Sequence, residues 1–182
     1  MDIRAVERRI FTHRRESSAT VWSTQRREWP GRAVRAGALL SALGAMVWLS
    51  GLPFLFPSLG PTAYLFATRP ESRQSALRRV VGGHAIGVLA GLLAYHALAS
   101  DVVITASMGP GTAAGLRLAA SGVAAVALTT AGMAVTDTGH APACATTLIL
   151  GLGILSTPRQ GGIMLVAVAV LVVEQALLAR LA

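Results

Sequence analysis

Apolar residues run along this chain in long uncharged blocks separated by short polar stretches. Ala36 to Phe56 contains no charged residue, and at about 1.5 Å per residue it is long enough to cross a hydrocarbon layer about 30 Å thick as a helix. Val80 to Ser100 and Leu118 to Thr136 repeat the pattern, and Gly161 to Ala179 gives a fourth block that has to accommodate Glu174 near its end. Two shorter apolar pieces, Leu52 to Ala67 and Ala141 to Thr157, are interrupted by proline and glycine. The pattern predicts an all-α fold, a polytopic transmembrane helix bundle with short broken helices.

The two halves of the pattern correspond. Each has a long helix, a Pro/Gly-interrupted piece, an arginine-bearing stretch ending in Gly-Gly, and another helix. SLGPTAYLFA (58–67) aligns with GHAPACATTL (139–148), which sets Pro61 against Pro142, and RRVVGGHAIGVLAGLL (78–93) aligns with PRQGGIMLVAVAVLVV (158–173). This predicts two repeats, about 36–100 and about 115–180. With an odd number of crossings in each, the second runs inverted relative to the first, as in many secondary transporters.

Composition sharpens the membrane reading. Hydrophobic residues make up 53% of the 182-residue chain and charged residues only 13%, about half the share in an ordinary soluble domain. All sixteen basic residues are arginine. Nine lie within residues 1–35, which lack the early apolar stretch of a cleavable signal. That segment reads as a basic cytoplasmic region. Ala5, Val6, Ile10 and Phe11 are spaced for a surface helix on anionic lipid, and Trp22 and Trp29 are placed as anchors; a solvated basic tail is the alternative. Domain boundaries follow: a basic segment over 1–35 and a transmembrane domain over 36–182.

Arginine placement also predicts topology. With the N-terminus inside and all six pieces crossing, fourteen arginines lie inside, and only Arg117 and Arg159 lie outside. The expected location is therefore the cell membrane, multi-pass, with a cytoplasmic N-terminus. The one cysteine, Cys144, excludes an internal disulfide framework, and no Cys/His pattern has zinc spacing. No cofactor or metal is expected.

The broken pieces carry the candidate chemistry. Pro61 and Pro142 suit the first turn of a helix, and the stretches before them must enter the bilayer without helical bonding, which requires protein or a wet cavity around them. Two helix starts facing each other near the midplane favour an anion through unpaired N–H groups and the helix dipole. Candidate substrate-binding residues are Ser58, Gly60, Pro61, Thr62, His84, Asp137, His140, Pro142, Thr146 and Thr147, with Thr138 as a further hydroxyl. His140 can donate to an anion or move a proton with it, or serve as a helix-entry histidine bonded to a neighbouring carbonyl. His84, at the inner end of its helix, can face the same cavity or bond structurally. Asp137, three residues before His140, is placed to orient it or to end in water. Glu174 is placed to snorkel or to pair with a basic residue. Ordinary kinked packing helices, with Gly, Ala and Thr allowing close contact, are the competing explanation.

TDTGHAPACATTLILG resembles the signature of the HPP family of integral membrane proteins, named for a His-Pro-Pro at this place followed by a small-residue run. FPSLGPTAYLFATRPESRQSALRRVVGGHAIGVLAGLL resembles the family's first-half pattern, with its short loop and Gly-Gly-His helix start. The resemblance spans residues 33–180 or so. His140 matches the signature histidine and Pro142 its second proline; Ala141 replaces the first proline, and Cys144 stands where the family has glycine. Family members are linked to nitrite transport, so the resemblance implies a transporter or channel for a small inorganic anion.

Partners expected from the sequence are a small anion and membrane lipid, with a homo-oligomer as a further expectation. Nucleic acid is not expected, because the arginines abut a membrane span. A non-transporting anchor that binds a partner or anionic lipid through its arginine-rich N-terminus is the alternative function. No enzyme is expected: the chain has no nucleotide loop and no Ser/His/Asp set.

Overall fold

The computed structural model describes residues 28–105 and 109–181. The basic pattern around Ala5 to Phe11, Trp22, and part of the stretch 100–116 lie outside the described residues. The chain divides into two compact units, Met1–Arg35 and Ala36–Ala182. In the first, residues 28–35 are helical and carry an ion pair one helical turn apart, Arg32 to Glu28 at 2.6 Å.

All regular structure among the described residues is helical. The elements are α1 (Glu28–Ser50), α2 (Leu59–Thr68), a 3-10 turn at Arg73–Ser75, α3 (Leu77–Leu98), α4 (Ala113–Thr136), α5 (Ala143–Gly151) and α6 (Pro158–Leu181). Four of them, α1, α3, α4 and α6, are long and apolar enough to cross a membrane. Their outward faces carry Trp48, Leu89, Val123 and Val173, the apolar exposure expected of surfaces that meet lipid.

The first long helix corrects the sequence boundaries. It begins at Glu28 and stops at Ser50, short of Phe56. Gly51 adopts φ +67°, its N–H bonds the Val47 carbonyl at 2.9 Å, and Pro53 follows. This is a left-handed glycine stop inside what reads by hydropathy as one span. The short pieces are likewise less helical than a crossing needs: 10 residues in α2 and 9 in α5 give about 14–15 Å each. Each is a half-length helix reached through a non-helical stretch, residues 51–58 and 137–142.

Local chemistry sets the remaining ends. Thr112 Oγ1 accepts from Gly115 N–H at 3.2 Å to start α4. Thr157 and Gln160 form a reciprocal capping box around Pro158, Thr157 N–H to Gln160 Oε1 at 3.0 Å and Gln160 N–H to Thr157 Oγ1 at 3.3 Å, which starts α6.

Helix directions follow from the cross-contacts. Arg117, near the start of α4, donates to the Leu98 and Ser100 carbonyls at 2.9 and 3.2 Å, while Arg78, near the start of α3, reaches the Thr136 carbonyl at 3.4 Å. Helices α3 and α4 are therefore antiparallel. In contrast, α5 runs parallel to α3, because Gly83, Gly87 and Gly91 meet His140, Thr147 and Leu150 in rising order. These three glycines, one turn apart, form a groove in which α5 lies. A Cβ on Gly87 would stand 2.8 Å from both the Ala143 carbonyl and Thr147 Oγ1, and one on Gly91 would stand 2.8 Å from the Thr147 carbonyl. Leu39, Leu43, Phe54, Phe56, Leu59, Phe66, Met164 and Leu171 build the main apolar core.

Candidate functional site

Two non-helical stretches and two half-helices bring four polar side chains to one buried place. Thr62, the fourth residue of α2, and Thr146, the fourth residue of α5, approach His84 of α3 from its two ring nitrogens: Thr62 Oγ1 lies 3.3 Å from His84 Nε2, and Thr146 Oγ1 lies 2.7 Å from His84 Nδ1. Thr62 Oγ1 also lies 3.0 Å from His140 Nε2, and His140 Nδ1 lies 2.8 Å from the Gln74 carbonyl oxygen. The two rings are tilted with centroids 5.2 Å apart. Thr62, His84 and His140 are wholly buried and Thr146 nearly so. Each polar atom is therefore matched by another, as burial requires.

The local sequence explains how a histidine-rich cluster fits so tightly. Gly82 and Gly83 let the extended stretch 138–140 lie directly on α3. A Cβ on Gly82 would stand 2.6 Å from Thr138 Cγ2, and one on Gly83 would stand 3.0 Å from His140 Cβ. Pro142 then begins the short helix. Its first N–H groups are occupied: Ala143, Cys144 and Ala145 donate to the carbonyls of His140, Ala141 and Pro142 at 3.0, 3.1 and 3.0 Å. The expectation of unpaired backbone donors at this helix start is corrected for these three groups. The donors the site offers are its side chains.

A second, charged cluster closes the same end of the bundle. Asp137 ends α4 in the left-handed conformation, φ 52°, which is open to aspartate more readily than to most residues. Its exposed carboxylate is bonded by Arg79 and lies 3.4 Å from the Arg73 guanidinium. The Arg79 hydrogen bond and the surrounding guanidinium charges hold its pKa below the ordinary carboxylate value, against a smaller opposing effect of desolvation. Asp137 therefore does not orient His140; the Gln74 carbonyl does.

Of the residues singled out by sequence, the structure gathers Thr62, His84, His140 and Thr146 into one cluster. Ser58 is buried and joins it only through its carbonyl, 3.4 Å from Thr62 Oγ1. Thr147 faces away from the histidines to Thr129, at 2.8 Å, and Pro142 is buried beneath the turn. Gly60 and Pro61 lie on the exposed side of α2. Thr138 bonds Thr136 at 2.7 Å. Residues not foreseen are Gln74, which acts through its main chain, Thr129, and Ser121, whose hydroxyl donates to the Gly151 carbonyl at 2.6 Å. The glycine spacing 83/87/91 was the available signal for the seat of α5. Among the described residues no group of three or more His, Cys, Asp or Glu could hold a metal ion.

Long apolar helices around half-length helices and a buried, uncharged polar centre define a multi-pass integral membrane protein. The family model for the HPP transmembrane region matches residues 22–181, and the chain belongs to that family. No curated protein and no solved structure matches it.

Proposed function

We propose that this protein moves a small inorganic anion of nitrite-like size and charge across the membrane, with its site where α2 and α5 begin. The observation that carries the reading is the Thr62–His84–His140–Thr146 cluster. A bundle needing only to anchor a tail has no use for two histidines in its centre, where polar groups are expensive and usually functional. Hydroxyl and imidazole donors suit an anion whose hydration is removed, and their complete burial corresponds to a state closed to both faces.

The end of α2 lies at the start of α3, where Ser75 Oγ donates to the Leu65 and Arg69 carbonyls, while Thr62 meets His84 further along. Helix α2 therefore runs antiparallel to α3 and to α5, a course that supports two inverted repeats, α1 to α3 and α4 to α6. The arginine asymmetry supports a cytoplasmic N-terminus together with a cytoplasmic 69–79 loop. A cysteine placed at position 73 should be labelled only from inside the cell; labelling from outside would remove both the orientation and the inverted count.

Uptake into proteoliposomes from a panel of nitrite, nitrate, formate and chloride tests the function. Thr62→Asp places a fixed carboxylate between His84 and His140, in the anion's position, and should accumulate in the membrane yet lose uptake. Normal uptake by that variant, or no uptake of any panel anion by the wild type, would sink the reading.

A further inference from the structure

The buried cluster has one internally consistent arrangement of protons, and a single atom fixes it. The Gln74 carbonyl oxygen can only accept, so His140 Nδ1, 2.8 Å away, carries the hydrogen. In a neutral ring His140 Nε2 is then bare and accepts the Thr62 hydroxyl at 3.0 Å. The Ser58 carbonyl, 3.4 Å from the same oxygen, is the more distant acceptor, and a hydroxyl turned to it would set its lone pairs against the bare Nε2. With its only hydrogen used, Thr62 Oγ1 accepts at 3.3 Å from His84, whose Nε2 is therefore protonated. His84 Nδ1 is left bare and accepts from Thr146 at 2.7 Å. The two rings hold opposite tautomers, and every hydrogen bond in the chain points toward Gln74.

A chain of one polarity can transmit a proton. When a proton reaches Thr146 Oγ1, the Thr146 hydroxyl proton passes to His84 Nδ1, the Nε2 proton passes to Thr62 Oγ1 and the Thr62 proton passes to His140 Nε2. His84 ends as its other neutral tautomer, and His140 ends protonated on both nitrogens with one positive charge. No heavy atom has to move, because each of the three bonds from Thr146 to His140 reverses between the same two atoms. There the transfer ends: an amide carbonyl is too weak a base to take the Nδ1 proton onward, and a bare Nδ1 would oppose the carbonyl lone pairs.

Resting on the transport reading above, we propose that Thr62 joins His84 and His140 into a one-proton relay that loads His140 from the Thr146 side and stops at Gln74. The imidazolium then forms beside the anion. When the anion leaves on the far side, His140 gives up its Nε2 proton with it and returns to the neutral Nδ1–H form, so a proton crosses only with the anion. A second proton is opposed by the first, since the ring centroids are 5.2 Å apart.

The surroundings leave the pair as the acceptor. The ionisable groups of α2, α4 and α5 are Tyr64, which is exposed, Arg117 at the far end of α4, and Cys144. Those of α6 are Arg159, Glu174 and Arg180, and α3 itself adds Arg78, Arg79, Tyr95 and His96. Toward Gln74, Arg73 and Arg79 share the Asp137 carboxylate, which offsets positive charge that would otherwise oppose an imidazolium at His140.

Two measurements on the full chain test the relay. In lipid nanodiscs, ¹⁵N-histidine spectra, assigned with His→Gln variants, should show Nδ1–H at His140 and Nε2–H at His84. On acidification His140 should become doubly protonated in the same step that switches His84 to Nδ1–H. Thr62→Ser should keep that coupled switch, and Thr62→Val should abolish it. The same tautomer on both rings, or a coupled switch surviving in Thr62→Val, would overturn the relay.

In proteoliposomes with an internal pH dye, each anion taken up should bring a proton, and accumulation should follow an imposed pH gradient and ignore membrane potential. Anion uptake without proton entry would overturn the relay while leaving anion transport intact. No uptake of any anion, with the coupled switch present in the spectra, would overturn the transport reading instead.

Discussion

Helices α2 and α5 are both half-length and contribute one threonine each to His84, yet they are held differently. Helix α5 lies in the groove of Gly83, Gly87 and Gly91, where backbone meets backbone, and is tied to α4 by the Thr129–Thr147 and Ser121–Gly151 bonds. Helix α2 has one open side: nothing lies within 4 Å of a Cβ built on Gly60, and Pro61 and Tyr64 are exposed. Its polar tie to the centre is Thr62. A fixed half-helix facing a looser one means that opening of the centre is expected through α2, with α5 as the frame.

The largest test of this contrast uses the glycines. Gly87→Val pushes a branched side chain into the Ala143 carbonyl and Thr147 Oγ1. Overpacking ordinarily costs about 1–3 kcal/mol, and because one of these neighbours is backbone, the upper end is expected. Gly60→Ala meets open space and gains helix propensity, at most about 1 kcal/mol. Thermal unfolding in detergent should show a large fall for the first and little change or a rise for the second. Equal sensitivity would remove the distinction between the helices.

Much of this arrangement was legible in the sequence. Proline and glycine in short apolar pieces marked both half-helices, because an interrupted run cannot span as one helix. His84, His140, Thr62 and Thr146 stood out as polar groups in apolar surroundings. What was hidden depended on the third dimension. The Gly51 stop reads as part of a span by hydropathy, since glycine and proline do not interrupt an uncharged count. The Gln74 carbonyl leaves no trace in residue type, and Asp137 is three residues from His140 in sequence but turned outward to Arg79 by its left-handed backbone.

Deletions of single polar groups give an intermediate effect and sharpen the comparison at the level of single bonds. His84→Leu takes from the buried Thr146 hydroxyl the ring nitrogen it bonds, while Thr62 keeps His140, and a buried group left unsatisfied costs about 1–3 kcal/mol. Thr147→Val should cost about 1 kcal/mol or less, because Thr129 can turn its hydroxyl back to its own helix. Chemical or thermal unfolding of the two variants should rank them in that order. A reversed order would show that the α4–α5 tie, more than the histidine centre, holds the short helices in place.

The smallest effect is expected at the charged cluster, which links the same segments as the histidines but in water. Arg79→Gln removes the hydrogen bond that most lowers the Asp137 pKa. Because the folded-state value lies below the unfolded one, the stabilisation is fully present above the ordinary carboxylate pKa and disappears as pH falls through the lowered value. Asp137 is exposed, so salt screens its pairing. Unfolding near neutral pH should therefore show a small deficit for Arg79→Gln, shrinking in high salt and vanishing at acid pH. A deficit that persists at low pH would instead assign Arg79 a packing role against Gly139, where its Nη1 lies 3.5 Å from a Cβ built on that glycine, and would make this end of α5 as firmly seated as its glycine groove.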